Sequence, residues 1–140
     1  MTKKIFSENF NLSSYTTIKV GGVAEYFAEP RNINEFLYLV EWASLNKKRC
    51  QIIGAGSNLL INNIFIKGLV ICTKKMKSLS IEPYSGIVEA EAGVMLPTLS
   101  NSLAKHGLQG GEWAVGIPGT LGGAIYMNAG TGNLLSLIHI

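Results

Sequence analysis

Two glycine-rich segments, about sixty residues apart, hold the residue types in this chain that could do chemistry. The first is Gly54-Ala55-Gly56-Ser57-Asn58, directly after an apolar, strand-like run. The second is Gly116-Ile117-Pro118-Gly119-Thr120-Leu121-Gly122-Gly123, leading into Ala124-Ile125-Tyr126-Met127-Asn128-Ala129-Gly130. Glycine has no Cβ, so its backbone N–H can approach a ligand closely. With small hydroxyl and amide side chains beside them, two such segments read as walls of one anion cradle. A phosphate-bearing cofactor is the first chemistry to consider.

The common phosphate patterns do not fit. In the dinucleotide fingerprint G-x-G-x-x-G the third glycine position is here Leu59, and the region about twenty residues on holds Thr73 and lysines instead of an acid. No Gly-Lys-Ser/Thr occurs, which excludes a P-loop. What remains is a strand followed by a nest of N–H donors, with Ser57 and Asn58 able to bond phosphate oxygens. A simple tight turn is the plainer alternative. In the second segment Pro118 fixes φ, and Thr120 can cap a helix whose N-terminus favours an anion. Gly122-Gly123 in the first turn costs roughly 1 kcal/mol per residue in helix propensity. That cost suits close approach of a flat ligand, or close packing of the helix on a neighbouring strand.

Little else in the chain points to chemistry. Two cysteines and two histidines without close spacing make no metal site. Cys50 and Cys72 lie in apolar runs and read as buried thiols. Ser57, Ser102 and Ser136 read as loop or surface hydroxyls, and His139 as no ligand. A net charge of +3 with scattered lysines is too mild to imply nucleic acid. No apolar run reaches the roughly 18 residues of a membrane span, and polar Ser7 to Asn11 follow Lys3-Lys4 where a signal peptide needs apolar residues. The expected location is cytoplasmic.

The elements that must position the two segments follow from pattern. Residues 1–15 read as a polar lead-in. Thr16 to Val20 alternates and stops at Gly21-Gly22, as a short strand would; Val23 to Glu29 reads as a second strand, closed by Pro30. Asn32, with Glu35 three residues on, starts a helix of Phe36, Leu37, Leu39, Val40 and Ala43 spacing that ends over Leu45 to Lys48. Cys50 to Ile53 reads as a short buried strand, followed by strand candidates at Leu59 to Ile61 and Leu69 to Cys72. A hairpin is expected from Leu79 to Ala92, a helix from Met95 to His106 with Leu96, Leu99, Leu103 and Ala104 on one face and stopped by Gly107, and a short helix from Gly119 or Thr120. The mixture is an α/β (α+β) domain.

With its motifs in hand, the chain resembles the N-terminal half of the UDP-N-acetylenolpyruvoylglucosamine reductase family. Three motifs carry the resemblance: Thr16-Thr17-Ile18-Lys19-Val20-Gly21-Gly22, Gly54 through Leu60, and Gly116 through Ala124 with Met127 to Gly130. It implies an FAD-binding domain of the vanillyl-alcohol-oxidase (PCMH) type, two α/β subdomains over residues 16–132, incomplete at the C-terminus. By the same resemblance Gly54, Ala55, Gly56, Ser57, Asn58 and Leu59 hold the pyrophosphate. Ile117, Pro118, Gly119, Thr120, Gly122 and Gly123 run along the flavin and its phosphates, with Asn128 and Gly130 nearby. Some relatives tether FAD through a histidine in the first loop; Ser57 and Asn58 here imply non-covalent binding.

The family reaction implied is NADPH-dependent reduction of the enolpyruvyl group of a UDP-sugar in peptidoglycan synthesis. Hydride passes through FAD, a serine protonates the neighbouring carbon, and an arginine and a glutamate stabilise the enol-like intermediate. Those three residues lie beyond the matched part, so no residue of this chain is assigned a catalytic role. Residues 133–140 (Asn133 to Ile140) depart from the family pattern and read either as foreign sequence or as a genuine strand or helix, on a fragment expected to be inactive and marginally stable alone.

Overall fold

The computed structural model describes residues 5–62 and 64–130. In chain order its elements are β1 (Ser7–Asn11), β2 (Val23–Ala28), α1 (Ile33–Leu45), β3 (Cys50–Ile53), β4 (Phe65–Cys72), β5 (Leu79–Glu82), β6 (Ile87–Ala90), α2 (Leu96–Lys105) and α3 (Leu121–Tyr126). Single 3₁₀ turns occupy Ser13–Tyr15, Thr73–Lys75 and Glu112–Gly116. The chain divides into two units, one up to Met76 and one from Lys77 onward. The tail at 133–140 lies outside the described residues.

The first unit is built on β4, whose apolar run Leu69-Val70-Ile71-Cys72 is fully buried. The sheet order is β1-β2-β4-β3, with β4 parallel to both β2 and β3, and β1 antiparallel to β2. A parallel strand covered on both faces needs apolar residues at every position, and Leu69 to Cys72 supply them in the covered half of β4. Leu69 and Ile71 face Leu39 and Ala43 of α1, with Phe36 and Trp42 alongside. Val70 and Cys72 face Leu12, Ala24, Phe27 and Ile53, with Phe10 and Tyr15 alongside. The register slips between Ala24 and Tyr26, and so Ala24 and Phe27 share one cluster while Tyr26 packs in the other.

Helix α1 starts as its sequence directs. The Asn32 side chain accepts from the Glu35 N–H at 2.9 Å. The Glu35 carboxylate reaches back one residue further than a capping box requires, accepting from the Arg31 N–H. Its buried face is Leu39 and Ala43, while Leu37 and Val40 are exposed, so the expected stripe is rotated.

Four expectations are corrected. The polar lead-in contains β1, which pairs as an edge strand and therefore needs little apolar content. Thr16 to Val20 is a turn: the Thr16 hydroxyl donates to the Val20 carbonyl at 2.7 Å, and the Lys19 N–H donates to the Thr16 carbonyl. Leu59 to Ile61 forms no strand. In β3 only Ile53 is buried and Cys50 is exposed, because β3 is the sheet edge.

The second unit holds the antiparallel hairpin β5–β6 and a small core in which Leu96, Ala114 and Ala124 meet Trp113, Ile117, Leu121 and Ala129. Helix α2 buries Leu96 and Ser100, with Leu99 and Leu103 half-buried and Ala104 exposed. It ends at Gly107, where N–H groups of Gly107 and Leu108 close back on Ala104 and Leu103. Helix α3 ends the same way with Asn128 in the left-handed position, at φ 49°.

Candidate cofactor site

The first glycine segment leaves the buried end of β3 and is pinned from two sides. The buried Thr73 hydroxyl donates to the Ile53 carbonyl at 3.3 Å, and the Cys72 thiol lies 3.5 Å from the Gly54 carbonyl. On the other side the Thr17 N–H donates to the Gly56 carbonyl at 3.2 Å, and its hydroxyl also approaches that oxygen. The motif at 16–22 is therefore the brace of the motif at 54–60. Gly56 is buried with φ +72°, and a Cβ there would lie 1.9 Å from the Tyr15 carbonyl oxygen. The chain's own backbone thus demands glycine, which is the tight-turn reading of this segment.

The brace is itself anchored. Glu29 ion-pairs with Lys75 at 2.6 Å. Burial, and then the hydrogen bond and charge of Glu29, push the Tyr15 phenol up to about 12. Tyr15 also packs edge-on against Phe10 and Phe27. Tyr15, Cys72 and Thr73 were not singled out from sequence as parts of this site. Their contacts with residues 53–56 join distant stretches of chain, and no local spacing signals them.

The fit to an anion is in the donors. Ser57, Asn58 and Leu59 are exposed. Among the described residues the N–H groups of Ala55, Asn58 and Leu59 have no protein acceptor. Consecutive amides left open beside Ser and Asn side chains suit phosphate oxygens.

The second segment sits in the other unit and is arranged differently. The first-turn donors of α3 are already engaged: Leu121 N–H on the Val94 carbonyl (2.7 Å), Gly122 N–H on the Ala92 carbonyl (2.9 Å), and Gly123 N–H on the Thr120 hydroxyl (3.4 Å). Thr120 is buried and acts as the helix cap, as its sequence position implies. Gly119 is buried at φ +142° and its carbonyl accepts from Leu96 N–H. A Cβ on Gly122 would lie 2.8 Å from the Ala92 Cβ. Of the two alternatives for this glycine pair, close packing is present at Gly122, against the turn after β6 and not a strand, whereas a Cβ on Gly123 would meet only the Thr120 hydroxyl at 3.3 Å. Ile117 packs on the Leu96 cluster, while Pro118, Asn128 and Gly130 are exposed. The polar surface left for a ligand comes from the chain around α3, not from its N-terminal amides.

Comparison with known proteins settles the family. Residues 24–136 match the FAD binding domain family. The chain belongs to that family. It is 72% identical over 129 residues to a UDP-N-acetylenolpyruvoylglucosamine reductase of Prochlorococcus marinus subsp. pastoris, covering 92% of this chain and 44% of the relative. The Thermus caldophilus enzyme of the same name has a similar structure (TM-score 0.67, 31% identity, 90% of this chain and 42% of that one). The resemblance read from the three motifs is borne out. The chain spans less than half the length of these relatives. At 16% identity, 6-hydroxy-D-nicotine oxidase from Arthrobacter nicotinovorans shares the fold alone (TM-score 0.59, 76% of this chain and 26% of that one). The expected PCMH-type α/β fold is thus the observed one.

Proposed function

We propose that this chain is the FAD-holding part of a UDP-N-acetylenolpyruvoylglucosamine reductase, with NADPH as hydride donor and a UDP-sugar as acceptor. The observation that carries the reading is the Thr17–Gly56 clamp, which fixes a loop whose open amides stand beside Ser57 and Asn58. FAD, when bound, supplies the hydride-accepting and hydride-donating ring. This chain's residues bind and orient. Ala55, Asn58 and Leu59 amides with the Ser57 and Asn58 side chains take the pyrophosphate. Pro118, Asn128 and Gly130 offer exposed surface to the rest of the cofactor, with Ile117, Gly119, Thr120, Gly122 and Gly123 shaping the backbone beneath. Among the described residues no three His, Cys, Asp or Glu side chains group as a metal site, and no helix is long and apolar enough to cross a membrane. We place the working protein in the cytoplasm, where its nucleotide substrates are.

Flavin content tests the cofactor reading. Purified protein should carry visible flavin absorbance, and denaturation should release FAD into solution. Flavin remaining with the precipitated chain would overturn non-covalent binding. Absence of FAD from both this chain and a full-length form would overturn the cofactor itself. In the full-length form, NADPH oxidation should require the enolpyruvyl UDP-sugar; oxidation with an unrelated alcohol substrate instead would favour an oxidase of the same fold.

A further inference from the structure

A cleft of about 330 Å³ opens in the first unit among Lys47, Lys48, Arg49, Lys67 and Glu25, with Phe65 at its edge. Its volume is in the range of small-molecule sites. It is also remote from the glycine loop. Arg49 precedes β3 and Gly54 follows it, so the length of the strand, roughly 13 Å, separates them. Phe65 and Lys67 open β4, which runs parallel to β3, so they share the Arg49 end.

The cleft's backbone is fixed. Lys47 is held at φ 51° by a closing turn in which its N–H reaches Ser44 and that of Lys48 reaches Ala43. Gly68 sits at φ +101°, with its Cβ direction blocked by the Arg49 carbonyl at 2.3 Å. The cleft's one carboxylate is already used: Glu25 accepts from the Lys48 ammonium and from the Gly68 N–H at 2.7 Å. Among the described residues Lys47 and Arg49 have no ion-pair partner, and Lys67 feels the Glu25 charge without forming an ion pair with it. Three like charges round one concavity repel, and a compact anion of several charges relieves this. A single carboxylate would leave two of the three unmatched.

We propose that this cleft is a second anion site, independent of the flavin reading, that takes an oligophosphate group. Lys47, Arg49 and Lys67 bind the phosphates, Lys48 stays on Glu25, and Phe65, half-exposed, offers a face to a nucleobase where the phosphate is that of a nucleotide.

Calorimetric titration of the folded chain with inorganic tripolyphosphate, and separately with a nucleoside triphosphate, at physiological ionic strength tests this. Saturable binding is expected. The Lys47→Gln/Arg49→Gln/Lys67→Gln variant should lose about tenfold or more in affinity, since even one charge-assisted contact is worth that much. The charge-matched variant Lys74→Gln/Lys77→Gln/Lys105→Gln should bind as the parent does. Tighter nucleotide binding that Phe65→Ala removes assigns a nucleotide; equal affinities assign the phosphate chain alone. Circular dichroism establishes that each variant is folded, and the single Lys47→Gln and Lys67→Gln changes stand in if the triple variant is not. Equal loss in both triple variants, no loss in either, or no saturable binding by the folded parent would overturn the proposal.

Discussion

Tyr15 and Gly56 meet through backbone alone: a Cβ added at Gly56 would lie 1.9 Å from the Tyr15 carbonyl oxygen. Two stretches of chain that carry separate sequence motifs are thereby locked into one loop, and Thr17 closes the lock with its hydrogen bond to the Gly56 carbonyl. The glycine that permits a cofactor loop is first of all the glycine that permits the brace.

Gly56→Ala should therefore be costly. It combines a positive φ with a backbone clash that no rotamer change relieves, so about 1–3 kcal/mol or more of stability should be lost. Gly116→Ala is the contrast, because an added Cβ there meets nothing within 4 Å and its φ is ordinary. It should leave stability unchanged or raise it by up to about 1 kcal/mol. Denaturant midpoints of the two variants check the pair; equal losses would contradict the contact.

The Gly122–Ala92 approach makes a different prediction, because the obstructing atom belongs to a side chain. Gly122→Ala should cost about 1–3 kcal/mol by overpacking. Ala92→Gly removes the obstructing Cβ, so the double variant should be more stable than the sum of the single losses predicts. Strict additivity in a thermal or urea double-mutant cycle would show that the Ala92 Cβ is not what excludes a side chain at Gly122.

Glu25 gives an acid signature. The Lys48 ammonium, and then the Gly68 N–H, hold its carboxyl below the usual value of 4.5. A carboxyl depressed in the folded state contributes stability at neutral pH that is lost as pH falls through 4.5 and below. Glu25→Gln should flatten that part of the stability–pH curve, and added salt should shrink the difference because both groups are partly exposed. Unfolding midpoints stepped from neutral to acid pH measure it; parallel curves for parent and variant would remove Glu25 from the acid response.

How far these features could be read in advance depended on whether their cause was local. Helix α1 was legible because Asn32 and Glu35 mark its start within four residues. The Thr120 cap and the stop at Gly107 were legible for the same reason. Strand β1 was not, since Ser7–Asn11 is polar and becomes a strand only because β2 offers it an edge. Cys50 belongs to an apolar run, and only the strand order exposes it. In the site, glycine spacing disclosed the loops, but neither Tyr15 against Gly56 nor Ala92 against Gly122 has a signature within either motif. The engaged first turn of α3 was equally hidden, because its acceptors Val94 and Ala92 lie in another stretch of chain.

Tyr15 supplies the alkaline counterpart. Burial first, and then Glu29, push its phenol from 10.0 up to about 12. A group whose protonated form is favoured by folding contributes stability that is fully present below 10 and is lost as pH rises from 10 towards 12. The difference in phenolate absorbance between the parent and Tyr15→Phe isolates this tyrosine from the other four in the chain. It should titrate near 12 in the parent. Glu29→Gln, which leaves the burial but removes the charge, should move it downward, and should also free the Lys75 ammonium from its partner. The brace on Gly56 passes through the same residue. If FAD is held as proposed, Glu29→Gln should weaken FAD binding while leaving the Glu25-dependent acid response intact. An unmoved Tyr15 titration would show that Glu29 does not hold the phenol, and would leave the brace to the Tyr15 and Thr17 backbone and to Thr73 and Cys72.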